Sequence, residues 1–172
     1  MKFSQNDIQV LRTLAARCRE IADSEINLAR KQQWTGLNDL KHSGPPLLLV
    51  SPEGAWKEIF SGFPVECGNE TACVWEQTLR SVIYQHDMIR DDTAFDPVFR
   101  IRREINISDY GIPFKQSRSM QANGAYHDDP VLQNLDDDLN KLRFRAITAD
   151  KEKAEQTFHL ASDTFGDLLE VR

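Results

Sequence analysis

The chain has 172 residues, 40% hydrophobic and 28% charged, a length and balance that fit one folded domain with a real core and exclude both a peptide scaffold and a wholly disordered chain. Lysine plus arginine number 21 against 27 acidic residues, for a formal charge of −6 and a pI near 5.2, so most of the surface repels phosphate and speaks against nucleic acid as a partner. The opening MKFSQNDIQV lacks the continuous apolar stretch of a signal peptide, and no segment reaches the roughly 20 apolar residues of a membrane span, so no membrane partner and a cytoplasmic location are expected.

Ser4 followed by Asp7 resembles a capping box and predicts a helix start. Ile8, Leu11, Ala15, Cys18 and Ala22 continue an apolar stripe at steps of three and four, and Trp34 and Leu37 extend it, predicting one long helix that runs past Gln33 until Gly44, Pro45 and Pro46 stop it. Residues 47–50, LLLV, read as a short buried strand. GAWKEIF then predicts a short helical turn with Trp56 as a packing anchor, followed by a turn at Gly62 and Pro64.

Residues 69–92 have the clearest pattern in the chain. Ala72, Trp75, Leu79, Val82, His86 and Ile89 share one helical face, which is expected to be core, and Asn69 is placed to cap the start. Glu76 and Arg80, four apart, read as an ion pair along the helix.

Beyond Asp92 the period changes to two. Phe99, Ile101, Ile105 and Ile107 alternate with polar residues, predicting a half-buried strand over residues 99–107, a turn at Asp109, Tyr110 and Gly111, and an antiparallel return over residues 112–120. Residues 121–130 read as a loop. Leu132, Leu135, Leu139 and Leu142 predict a short helix with Asp136, Asp137 and Asp138 in its first half. Asp150 is expected to cap a last helix over Lys151–Phe165 that Gly166 closes, and residues 168–172 begin a strand. The fold class that follows is α+β, helix-rich with a small antiparallel hairpin or sheet and no complete (β/α)8 barrel, with residues 1–172 as a single domain.

Few residues point to chemistry. The chain has no GxGxxG, phosphate loop, GxSxG or HExxH. Cys18, Cys67 and Cys73 are odd in number, form no CxxC and have no histidine at zinc-ligand spacing, so they read as free thiols. His86, Asp91 and Asp92, with Asp87, form one polar cluster and are the candidate binding residues; His127, Asp128 and Asp129 form a second. Histidine beside carboxylates binds a divalent metal or acts as a general base, whereas the bland readings are a core histidine on the apolar stripe, capping aspartates and a polar turn before Pro130. His42 reads as an isolated loop histidine.

Several fragments together resemble one family. The N-terminal helix, W-x2-L-N-x-L at residues 34–40, GPPLLLV, the AWKEI around Trp56, Glu76 with Leu79, Arg80, Ile83 and Tyr84, Asp91 with Asp92, and the closing FGDLL are similar to the N-terminal region of uroporphyrinogen decarboxylase-like proteins, most of all the branch associated with corrinoid-dependent methyl transfer. The resemblance implies a (β/α)8 barrel following such a region, with a zinc site of His-x-Cys plus a later Cys in the methyltransferase relatives. Here no histidine is followed by x-Cys and the arginine-rich MRQAGR-like element is missing. A barrel takes about 250 residues, so no catalytic residue of the family carries over.

What the resemblance implies is an accessory, non-catalytic N-terminal domain of a decarboxylase or methyltransferase system, with corrinoid or zinc belonging to the parent system and no cofactor in this chain. The alternatives are a free-standing interaction module for a separate barrel subunit and a small metal-dependent enzyme using His86, Asp91 and Asp92. Apolar residues left over after one core stripe per helix, including Trp56, Val74 and Ile83, predict a homo-oligomer or a bound barrel subunit.

Overall fold

Ser4 begins the first helix as the capping box requires. In the computed structural model, which describes residues 2–103, 105–113, 116–120 and 124–172, the Ser4 hydroxyl accepts the Asp7 amide at 3.1 Å and the Asp7 carboxylate accepts the Ser4 amide at 3.0 Å. Aspartate is short enough to turn its second oxygen away, where it accepts the Gly68 amide at 2.7 Å, and Asp7 is buried as a result. Helix α1 (Gln5–Asp23) buries Leu11, Ala15, Cys18, Ile21 and Ala22.

The single long helix expected here is two. Ser24 takes an extended conformation, donates its hydroxyl to the Ile21 carbonyl at 2.8 Å and accepts the Asn27 amide at 3.3 Å, so one residue closes α1 and caps α2 (Glu25–Asn38). The hydroxyl offers the backbone partners that compete with helix continuation. Asn27 fixes the corner, donating to the Ala22 and Phe95 carbonyls and accepting the Phe95 amide, all within 2.8 Å. α2 ends at Asn38, before the glycine and prolines reach it.

The buried strand expected over residues 47–50 does not form: these residues belong to no regular element, and Leu48 is 63% exposed, Leu49 58% and Val50 42%. Four apolar residues in a row do not specify what covers them, and here only Leu47 is partly buried. A 3-10 turn (Glu53–Ala55) leads into α3 (Trp56–Ser61), and Asn69 caps α4 (Glu70–Tyr84) through the Thr71 and Ala72 amides. Ala72, Trp75, Glu76 and Leu79 are its buried residues. The helix anticipated over residues 69–92 changes character after Tyr84 into a π-helical turn (Gln85–Ile89), ended by Arg90 in the left-handed region at φ 57°.

The predicted strand over residues 99–107 is two short strands, with Glu104 outside the described residues. β1 (Val98–Phe99) pairs parallel with the last strand of the chain, β6 (Glu170–Val171), and β2 (Ile105–Ile107) has a different partner. Phe99 is buried; Ile105 and Ile107 are exposed. The final helix of the chain spans Lys151–Phe165, as its spacing predicts; the Asp150 carboxylate accepts the Lys153 amide at 3.0 Å, and Gly166 donates back to the Ser162 carbonyl at 2.9 Å.

The chain forms two compact units. The first comprises residues 1–101 and 155–172, with a core of α1, α4 and the C-terminal helix, in which Trp75, Phe99 and Phe165 pack edge to face. The second comprises residues 102–154. In it β2 pairs antiparallel with β5 (Ile147–Ala149), and β3 (Gln116–Arg118) with β4 (Tyr126–Asp128). The turn at Asp109 to Gly111 forms, with the Gly111 amide on the Asp109 carboxylate at 2.9 Å and φ +90° at Gly111, but the chain does not return along β2 as a hairpin. Alternation marks a strand and leaves its partner open, and a residue distant in sequence supplied it. Residues 114, 115 and 121–123 of the expected return strand and loop lie outside the described residues. The loop also holds β4. The leucine-spaced helix shortens to α5 (Leu135–Asp138) and a 3-10 turn (Leu139–Lys141), capped by Asn134; the final helix, in chain order, is α6.

Helices and small two-stranded sheets without a closed barrel among the described residues make the chain α+β. No described helix is long and apolar enough to cross a membrane.

Candidate functional site

The π-helical turn after α4 decides where the candidate residues point. The Arg90 amide reaches back five residues to the Gln85 carbonyl at 3.0 Å, and the left-handed Arg90 reverses the chain so that Asp91 and Asp92 face residues 47–50. Asp91 is buried. Its Oδ2 accepts the Val50 amide at 2.7 Å, the Gln85 Nε2 at 2.8 Å and the Thr93 hydroxyl at 2.9 Å, while Oδ1 accepts the Thr93 amide at 3.1 Å. Asp92 accepts the Leu48 amide on Oδ2 at 2.8 Å, donates its own amide to the Leu48 carbonyl at 2.9 Å, and accepts the Trp34 indole N–H on its carbonyl at 2.6 Å. Gln85 donates to the Val50 carbonyl at 2.7 Å. Both aspartates thus act as side-chain substitutes for a neighbouring strand.

His86 belongs to a different group. Its Nδ1 is 2.7 Å from Asp87 Oδ1, and Arg17 donates to the same oxygen at 3.0 Å. The His86 hydrogen bond, more than the nearby Arg17, holds the Asp87 carboxyl below its usual range. Asp91 and Asp92 therefore share hydrogen bonds with residues 47–50, and His86 shares its own with Asp87. Among the described residues no three His, Cys, Asp or Glu side chains gather at metal-ligating spacing. His127 lies on β4 with Nε2 3.8 Å from Asp129; the histidine is exposed and the aspartate half-buried. His42 turns its Nε2 onto the Pro45 carbonyl at 2.8 Å.

One charged residue does more than the ion pair its spacing predicts. Glu76 is 0% exposed. Its two oxygens accept the Glu66 amide at 3.0 Å each, Oε2 also accepts the Cys67 amide at 2.9 Å, and Arg80 Nε donates to Oε1 at 2.8 Å. The expected pair with Arg80 exists, but its principal partners are backbone amides of the loop before α4. Its place was readable: 72, 75, 76 and 79 follow the i, i+3, i+4, i+7 pattern of a buried face. Cys67, beside it, has its thiol pushed up to about 12, first by burial and then by Glu76; burial does the same to Cys18, also to about 12. Neither forms an appreciable thiolate at neutral pH.

Burial pulls the carboxyl pKa values of Glu76 and Asp91 upward, but amide and side-chain donors outweigh it and hold both below their ordinary values; at Asp7 the Ser4 hydroxyl leads the same effect. The folded state thus keeps these groups charged where the unfolded chain already binds protons. Their contribution to stability is present above the ordinary carboxylate range of roughly pH 4 and is lost as pH falls through the depressed folded values. Urea unfolding at a series of pH values is expected to show stability declining on the acid side of that range. Asp91→Asn is expected to make the decline shallower; an unchanged slope would show that Asp91 titrates alike in both states.

The first unit also carries a groove between α3 and α4 that mixes apolar and polar side chains. Trp56 and Phe60 stack at 5.2 Å with Tyr84 edge-on to both, and Trp56, Phe60 and Val74, with the polar Lys57, Ser61, Gln77, Thr78 and Ser81, bound a cavity of about 480 Å3. Trp56 is half-buried, so it packs as expected while one face lines the groove. No family model, curated protein or solved structure matches this chain.

Proposed function

We propose that this chain is an accessory, non-catalytic module of a uroporphyrinogen decarboxylase-like or corrinoid-dependent methyltransferase system, working in the cytoplasm and docking on a (β/α)8 barrel or on another copy of itself. The observation that carries this reading is how the polar residues are used. Asp91, Asp92 and Glu76 direct their oxygens at backbone amides of residues 47–50 and 66–67, while Trp56, Phe60 and Val74 line an open groove whose rim is polar, as a docking surface's is. Carboxylates spent on holding loops serve assembly rather than turnover. The resemblance in the GPPLLLV, AWKEI and FGDLL segments supports the choice of partner system. Corrinoid or zinc, in this reading, belongs to the barrel.

The purified chain is expected to give no turnover above a protein-free control with uroporphyrinogen, or with methylcobalamin and a thiol. Calorimetric titration with a purified barrel of that family is expected to show binding that Trp56→Ala weakens by at least about tenfold, the size of an aromatic hot spot. Turnover that disappears with His86→Ala would overturn the reading in favour of a small enzyme.

A further inference from the structure

We propose that residues 47–51 are an edge strand through which two copies of this chain pair antiparallel, about a two-fold axis at Leu49. Leu48 and Val50 turn both their amides and their carbonyls to the same side, where Asp92, Asp91 and Gln85 satisfy all four groups. In an extended chain every second residue directs its peptide groups to the same edge. Leu47, Leu49 and Ser51 therefore direct theirs to the opposite edge, and among the described residues none of the three has a backbone hydrogen-bond partner. Of these three, Leu49 and Ser51 are exposed and Leu47 is half-buried.

This edge is complementary to itself. Placing Leu49 opposite Leu49 of the second copy sets Leu47 opposite Ser51, and each such pair exchanges two N–H to carbonyl bonds. Leu48 of one copy then lies across from Val50 of the other, an apolar pair of the kind that stabilises sheets. Pro45 rules out one neighbouring register. Pro46 and Pro52 bound the segment and have no N–H, and sliding the strands so that the axis falls at Leu48 sets Ser51 against Pro45, which has no N–H to give. Charge does not oppose the contact: no Asp, Glu, Lys or Arg lies between Lys41 and Glu53, so two molecules of formal charge −6 meet where no like charges face one another. A two-fold contact of this kind closes on itself. Five residues cover well under the roughly 800 Å2 per partner of a stable interface, so the dimer is expected to be weak, with a Kd of micromolar or above. The proposal rests on the assembly reading above only for the expectation that the chain associates with itself.

The test combines sedimentation equilibrium with residue-resolved amide exchange, from about 5 to 500 μM protein, a span chosen to cross such a Kd. The expected mass rises from 19.7 kDa toward twice that value. The Leu47, Leu49 and Ser51 amides are expected to slow about tenfold once nine-tenths of the chain is paired, while Leu48 and Val50 are protected throughout. Leu49→Pro removes the central donor at a position where an extended backbone accepts proline, and is expected to abolish the mass increase while Leu48 and Val50 stay protected. Leu49→Glu places like charges directly opposite each other and is expected to do the same. A monomer at every concentration would overturn both this pairing and self-association. A dimer that survives both substitutions, or forms with the Leu47, Leu49 and Ser51 amides still in fast exchange, would overturn the edge pairing alone.

Discussion

Replacing Trp75 with alanine is expected to lower the free energy of unfolding by about 3–5 kcal/mol in denaturant titration, the range for emptying a large buried aromatic site. The indole is 7% exposed and meets Phe3, Phe99 and Phe165 edge-on at centroid distances of 5.2, 5.5 and 5.8 Å. Those three rings come from before α1, from β1 and from α6, so the cavity would separate parts of the chain far apart in sequence. Trp75→Phe keeps an aromatic ring in the site and is expected to lose less than half as much. A loss below about 1 kcal/mol for the alanine variant would show that the neighbours collapse into the space.

Glu76→Ala is expected to be comparably severe, at about 3–5 kcal/mol, because it removes one partner from a buried ion pair. The Glu66 and Cys67 amides lose their acceptor, and Arg80, with its side chain only 20% exposed, loses one of two carboxylates and keeps Glu66 at 2.6 Å. Buried donors without acceptors account for much of that cost. Glu76→Gln preserves the shape and an acceptor oxygen, so it is expected to retain part of the stability that alanine loses. Urea titrations of both variants separate the contributions: equal losses would mean that the charge, and not the loop anchoring, is what the fold uses.

Local pattern was most reliable where one residue's chemistry controls one terminus. The Ser4 and Asp7 box, the Asn69 cap and the Asp150 cap all form where the sequence places them, because a cap depends on atoms within three residues. The candidate site was harder to read. His86, Asp91 and Asp92 are within seven residues of one another, yet a π-helical turn and a left-handed Arg90 send them to different partners. Neither feature has a strong local signature, since arginine rarely adopts that conformation without tertiary contacts to hold it.

The sequence by itself determined the helix-rich α+β class and the apolar faces of α1, α4 and α6, since each follows from side-chain periodicity. Only the tertiary structure decided that Ser24 divides the first helix, that Glu76 is buried, that β1 pairs with β6 while β2 pairs with β5, and that residues 47–50 lie exposed along Asp91 and Asp92. In each of these the deciding partner lies across the fold: Phe95 for the corner behind Ser24, the Glu66 and Cys67 amides for Glu76, Glu170 for Val98, Ala149 for Ile105. Periodicity records which face of an element is apolar, whereas a hydrogen-bonding group is satisfied by whichever complementary group the folded chain brings within about 3 Å.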